Sequence, residues 1–210
     1  MPRLFKLCYV TERQGLEDGA LPGLLREAID ARIDMIQIRE RDLGSRELVS
    51  LVKDAVSYGR GTATLITVND RLDVALGTGT AGVHLGGHSL PAACVRAVAP
   101  TGFLVGVSCH SIEDVLRAEM AGADYVLLGP VFETPSKLVY GRPLGLSLLS
   151  EAASRTTIPV YALGGVTVDR AMQCLEAGAA GIAGIRLFQD PASLRTRVAQ
   201  LRAQVASTER

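Results

Sequence analysis

Short apolar segments recur along this chain at a nearly regular beat, and each is followed by a stretch whose apolar residues fall three and four apart. Eight segments read as strands: Leu4 to Val10, Met35 to Ile38, Thr64 to Val68, Gly82 to Leu85, Phe103 to Val107, Tyr125 to Leu128, Pro159 to Leu163 and Gly181 to Ile185. The stretches between them include Leu21 to Ile33, Arg46 to Tyr58, Ile112 to Ala121 and Val168 to Ala177. Continuous apolar runs suit strands buried on both faces, and helical spacing suits the elements that cover them. A strand-helix unit repeated this often leaves few architectures open.

Small turns lead directly from helix to strand at Thr80-Ala81-Gly82, Ala121-Gly122-Ala123-Asp124 and Ala177-Gly178-Ala179-Ala180-Gly181. Glycine there accepts the left-handed backbone that closes a helix. The 210 residues show no second composition zone and no linker. The expectation is an α/β chain forming a single (β/α)₈ TIM barrel over residues 1–210, with an open doubly wound sheet as the alternative. Apolar residues make up 48% of the chain and aromatics 4%, with no Trp. The core must therefore be built from Ala, Val, Leu and Ile.

Charge excludes some functions. The 22 basic residues balance the 22 acidic ones, which offers no field for nucleic acid or an anionic membrane. Cys8, Cys94, Cys109 and Cys174 form no CxxC pair, so they read as small buried hydrophobes in a reducing compartment rather than zinc ligands or disulfides. No charged-then-apolar leader opens the sequence, and no apolar run nears the roughly 20 residues that span a bilayer. A cytoplasmic location is expected.

In a parallel barrel the chemistry gathers at the C-terminal ends of the strands, and the polar residues of this chain fall there. Strand 2 ends in Gln37-Ile38-Arg39-Glu40-Arg41-Asp42, strand 3 in Asn69-Asp70-Arg71, strand 4 in His84-Leu85-Gly86-Gly87-His88-Ser89 and strand 5 in Ser108-Cys109-His110-Ser111. Strand 6 runs into Gly129-Pro130-Val131-Phe132-Glu133-Thr134-Pro135-Ser136-Lys137, and strand 7 ends in Leu163-Gly164-Gly165-Val166-Thr167. Gly164-Gly165 before a helix start lets backbone N–H groups approach a phosphate. On this reading a side chain at Gly165 would obstruct the phosphate and leave the fold intact. Gln37, Arg39 and Arg41 alternate, which in a strand directs all three inward, and inward guanidiniums require an anion. Arg39 could instead be paired with Glu40 or Asp70. Of the histidines, His84 reads as a hydrogen-bonded barrel residue, His88 as a loop residue or replacement ligand, and His110 as a substrate contact.

Six of these segments resemble, in order, the motifs of the thiamine phosphate synthase family, which includes a thiazole tautomerase branch. They are Gln37 to Asp42, Asn69-Asp70-Arg71, Val83 to Gly86, Gly106 to Ser111, Gly129 to Lys137 and Ala162 to Val166. The resemblance implies a transferase in thiamine biosynthesis that joins a hydroxymethylpyrimidine pyrophosphate to a thiazole phosphate and releases pyrophosphate. It implies that Gln37, Arg39 and Asn69 bind the pyrimidine pyrophosphate, that Asp70 ligates Mg²⁺, and that Ser108 binds the substrate or its pyrophosphate. Thr134, Ser136, Gly164 and Gly165 would hold the thiazole phosphate, and Lys137 would contact pyrophosphate. Arg39, Arg41, Ser108 and Lys137 are the set expected to carry the chemistry. Ile185 and Arg186 fall in the strand-8 phosphate loop. Small phosphorylated molecules are the expected partners, with no nucleic acid or membrane, and a homo-oligomer is left open.

The sequence departs from the family pattern at several positions. Ser89 stands in place of a second Mg²⁺-binding Asp, and a hydroxyl is a poorer ligand for a hard cation. Arg41 replaces the usual Lys with a planar fork, and Arg186 replaces a small residue. Pro130 occupies the position of the tautomerase's catalytic His and has no proton to transfer. The alternatives are the tautomerase reaction and a silent module that binds thiazole or thiamine phosphate.

Overall fold

The computed structural model describes residues 6–134 and 142–208. In chain order the elements are β1 (Leu7–Val10), a 3₁₀ turn (Arg13–Gly15), α1 (Leu21–Asp30), β2 (Met35–Ile38), α2 (Ser45–Gly59), β3 (Leu65–Asn69), α3 (Leu72–Thr78), β4 (Gly82–Leu85) and α4 (Ala92–Val98). They continue with β5 (Leu104–Cys109), α5 (Ile112–Met120), β6 (Tyr125–Leu128), α6 (Gly145–Arg155), β7 (Val160–Leu163), α7 (Val168–Glu176), β8 (Gly181–Gly184) and α8 (Pro191–Thr208). Each strand pairs in parallel with the next, and β8 returns to β1 with Leu7 opposite Ile182 and Cys8 opposite Ala183. Closure sets aside the open sheet and leaves the sheet without an edge.

The period of two in each strand sorts its side chains between two apolar regions. Cys8, Val10, Met35, Tyr125, Leu127, Tyr161 and Ala183 fill the inside of the barrel. Their neighbours Leu7, Tyr9, Ile36, Val126 and Ile182 point outward into the layer shared with Leu24, Val52, Val95, Val115 and Leu194 of the helices. Gly122 and Gly178 close α5 and α7 in the left-handed conformation, at φ 82° and 92°. The first helix closes without glycine, because Arg32 takes φ 63°.

Strand ends differ from the sequence expectation where they matter for the site. β2 stops at Ile38, because the next backbone N–H, that of Arg39, donates to the Thr11 hydroxyl at 2.9 Å. The alternation argument therefore does not extend to Arg41. β5 runs on through Ser108, opposite Leu127, and Cys109, opposite Leu128. Ser108 thus belongs to a strand, on the same face as Gly106. Three cysteines are buried, but Cys94 is exposed, since it lies on the outer face of α4. Among the described residues no helix is long and apolar enough to cross a membrane.

Candidate active site

Loops after β6, β7 and β8 enclose a cavity of about 320 Å³. Its floor is set by a close crossing of two loops: Val131 N–H donates to Leu163 O at 2.9 Å and Phe132 N–H to Gly164 O at 3.0 Å. A Cβ on Gly164, at φ 94°, would lie 2.7 Å from Pro130 Cα, and one on Gly165, at φ 65°, would lie 2.6 Å from the Glu133 carbonyl oxygen. The glycines are thus required by the crossing itself, and a side chain at Gly165 disturbs the fold. That corrects the expectation that it would only block a ligand. Thr167, which lines this cavity, precedes α7 with no side-chain cap, which leaves N–H groups of the first helical turn uncapped beside it. Arg170 reaches back over the cavity. Its guanidinium lies 4.9 Å from the centre of the Phe132 ring and donates to Gly165 O at 3.2 Å. Thr134, Ile185 and Arg186 complete this wall, and the buried Thr134 hydroxyl has no hydrogen-bond partner among the described residues.

A second cavity of about 320 Å³ lies beyond β2, β3 and β4, lined by Arg41, Asn69, Asp70, His88 and Ser89. Asp70 sits at φ 66°, a left-handed conformation that Asp and Asn tolerate better than most residues. Its backbone N–H donates to His84 O at 2.8 Å. The Ser89 hydroxyl accepts from Gly86 N–H at 2.7 Å and so closes its own loop. Among the described residues no group of three or more His, Cys, Asp or Glu could hold a metal alone. A single carboxylate still fits Mg²⁺, which commonly takes one or two carboxylates and completes its shell with substrate phosphates and water.

Arg39 lies near one residue of each cavity. Its Nη1 lies 3.6 Å from Oε1 of Glu12, which lines the first cavity, and it is close enough to Arg41, which lines the second, to feel its charge. Burial, and then Arg41, draw the Arg39 pKa below its usual value. Neither Glu40 nor Asp70 is its ion-pair partner. Glu40 instead accepts from the Thr11 hydroxyl and from Arg13 N–H, and burial raises its pKa. The Gln37 side chain is buried, and its Nε2 has no partner among the described residues. An amide donor left so in the barrel is costly unless a ligand meets it.

The chain matches the family model described as thiamine monophosphate synthase over residues 7–188. It belongs to the thiamine monophosphate synthase family. The thiamine-phosphate synthase of Methanocella arvoryzae is 42% identical over 178 residues, which is 84% of this chain and 84% of that protein. That of Chlorobium luteolum is 38% identical over 179 residues, covering 85% and 82%. The solved thiamine phosphate pyrophosphorylase of Pyrococcus furiosus superposes with a TM-score of 0.85 at 32% identity, over 97% of this chain and 96% of that one.

Against the family expectation, Gln37, Arg39, Arg41, Asn69, Asp70, Ser108, Thr134, Gly164, Gly165, Ile185 and Arg186 all lie at the same end of the barrel. Ser136 and Lys137 lie outside the described residues. His110 Nδ1 is bonded to the Gly129 carbonyl and its backbone N–H to Asp114. His84 is the internal residue expected of it, with Nδ1 3.3 Å from the Tyr125 hydroxyl and Nε2 2.9 Å from Ser108 Oγ. Burial, helped by Arg39, holds its pKa down at about 3, so it is neutral at pH 7. Sequence reasoning missed Glu12 and Arg170. Glu12 stands two residues past β1, where the strand-end rule would have found it. Arg170 carries no such signal, because only the loop crossing brings Phe132 beneath it.

Proposed function

We propose that this chain is a thiamine-phosphate synthase acting on a hydroxymethylpyrimidine pyrophosphate and a thiazole phosphate. The observation that carries the reading is Arg39, which sits beside Glu12 of one cavity and Arg41 of another, both suited to anions. One has backbone N–H groups, Arg170 and Arg186. The other has Arg41, Asn69 and Asp70. In the reaction the bond between the pyrimidine methylene carbon and the pyrophosphate oxygen breaks, and both electrons leave with pyrophosphate. The thiazole nitrogen then donates its lone pair to the carbon. Arg39 and Arg41 would stabilise the charge that grows on the departing oxygen, with Lys137 as a further cation. Gln37 Nε2 would meet the pyrimidine, and Ser108 the substrate or its pyrophosphate. The β7 loop, Thr134, Ser136 and Arg186 would fix the thiazole phosphate so that its nitrogen is delivered without a competing water. Asp70 would hold Mg²⁺, which supplies charge neutralisation on pyrophosphate when bound.

The tautomerase reading needs a proton-transfer group where Pro130 lines the cavity, and Pro130 supplies none. Pyrophosphate release measured with both substrates and Mg²⁺, beside a tautomerase assay, tests the choice. Release that requires both substrates is expected. Tight binding of both phosphorylated ligands with no release would overturn the synthase in favour of a binding module.

A further inference from the structure

Three polar side chains form a line that descends from the mouth into the centre of the barrel. Ser108 is half-buried, whereas His84 and Tyr125 are buried. His84 bridges the other two, with Nε2 2.9 Å from Ser108 Oγ and Nδ1 3.3 Å from the Tyr125 hydroxyl. The strand beside them is stripped to admit this contact: a Cβ on Gly106 would lie 2.1 Å from Tyr125 Cζ and 2.6 Å from His84 Nδ1. The Tyr125 ring is braced from the other side by Tyr161, edge to face at 5.9 Å.

A neutral imidazole has one N–H and one lone pair, so it must donate to one neighbour and accept from the other. A phenol, with a pKa near 10, is a better donor than an aliphatic hydroxyl. The Tyr125 oxygen also accepts from the Thr67 side chain, so its own proton is left for the lone pair on His84 Nδ1, and Nε2–H donates to Ser108 Oγ. That leaves the Ser108 proton with no internal acceptor in the line. We propose that Tyr125 and His84 are positioning residues that hold the Ser108 hydroxyl as a hydrogen-bond donor to a pyrophosphate-class anion at the barrel mouth. The ligand class rests on the synthase reading above, and the order of the hydrogen bonds does not. Geometry supports the order, since both ring nitrogens of His84 already face hydroxyl oxygens.

Nitrogen-15 NMR of the ligand-free protein reads the tautomer directly. His84 is expected to carry its proton on Nε2 throughout roughly pH 5–8, the range in which an ordinary histidine titrates. A proton on Nδ1 overturns the proposal. Calorimetry with inorganic pyrophosphate and Mg²⁺ reads the consequence. Tyr125→Phe keeps the ring, and is expected to mix the tautomers and weaken pyrophosphate about five- to tenfold, the size of one lost hydrogen bond. In a Ser108→Ala background the same change should cost less than about twofold, because the two act through one group. Equal losses in both backgrounds would show that Tyr125 acts through packing, and the proposal falls. Wild-type protein that binds no pyrophosphate while His84 is protonated on Nε2 sinks the substrate reading and sustains the order of the line.

Discussion

Arg39 Nη1 lies 3.6 Å from Glu12 Oε1, so the Arg39 guanidinium has an internal counter-ion. Both partners are partly exposed, at 24% and 41% of their side-chain surface, and such pairs contribute about 0.2–1 kcal/mol. A pyrophosphate that recruits Arg39 must compete with Glu12. Glu12→Gln is therefore expected to lower the Kd for inorganic pyrophosphate by up to about fivefold, the ratio that 1 kcal/mol gives. Isothermal calorimetry checks this, and an unchanged or higher Kd would mean that Arg39 does not move to the anion.

Asp70 offers an unusually clean charge deletion. Its φ of 66° is one that Asn adopts as readily as Asp, so Asp70→Asn removes a carboxylate without a backbone penalty. Turnover is expected to fall by at least about two powers of ten, or about 2.7 kcal/mol of transition-state stabilisation. A normal rate with unchanged Mg²⁺ dependence would remove Asp70 from the metal.

Ser89→Asp tests the same cavity from its other wall. One oxygen of the new carboxylate would inherit the bond from Gly86 N–H, and the other would be free to meet Mg²⁺. The Mg²⁺ concentration giving half-maximal rate should fall. If it holds steady or rises, Ser89 does not face the ion.

The barrel was legible because its signals are local: apolar runs, helical spacing and glycines at turns each act within a few residues. Residues at strand ends followed from the same logic, which is why Asn69, Asp70 and Gly164 could be placed at the mouth from sequence. What was not legible depends on pairings between distant segments. Nothing near Arg39 in sequence marks Glu12 as its partner, since Glu12 follows β1, which meets β2 through a parallel pairing that ends with Val10 opposite Gln37. The end of β2 is decided by the Thr11 hydroxyl, and the length of β5 by its pairing with β6. Gly165 was read for its ligand, whereas the loop after β6 sets the first demand on it.

Acid should unfold this protein partly through His84. Its pKa is about 3 in the folded chain against an ordinary 6.5, so between those values the unfolded chain binds a proton that the folded chain refuses. Stability is then full above about pH 6.5 and falls as pH drops toward 3. Carboxylates such as Asp73, held low by its hydrogen bond from Arg71, push the same way. The His84→Gln variant separates the two, since it should show a flatter fall in urea midpoint between pH 7 and about pH 4.5. An equally steep fall in the variant would clear His84 of the effect.

The phosphate cradle is best tested at Arg186, because substitution at Gly165 confounds two effects. An added Cβ there meets Glu133 O at 2.6 Å and Phe132 Cβ at 2.7 Å, at φ 65°, so Gly165→Ala should cost about 1–3 kcal/mol of stability. For a chain of this size that lowers Tm by roughly 2–12 °C, and distortion of the loop should weaken phosphorylated and unphosphorylated thiazole together. Arg186 is exposed at the rim of the same cavity, and exposed side chains of this kind change stability by no more than about 0.5 kcal/mol when removed. A guanidinium that meets the phosphate adds a charge-assisted hydrogen bond. Arg186→Ala should then leave Tm within about 2 °C and weaken thiazole phosphate about tenfold, equal to about 1.4 kcal/mol, with the alcohol unaffected. Equal weakening of both ligands would assign Arg186 to the shape of the loop. Tighter binding of the phosphate would mean that the side chain crowds the cradle instead of completing it.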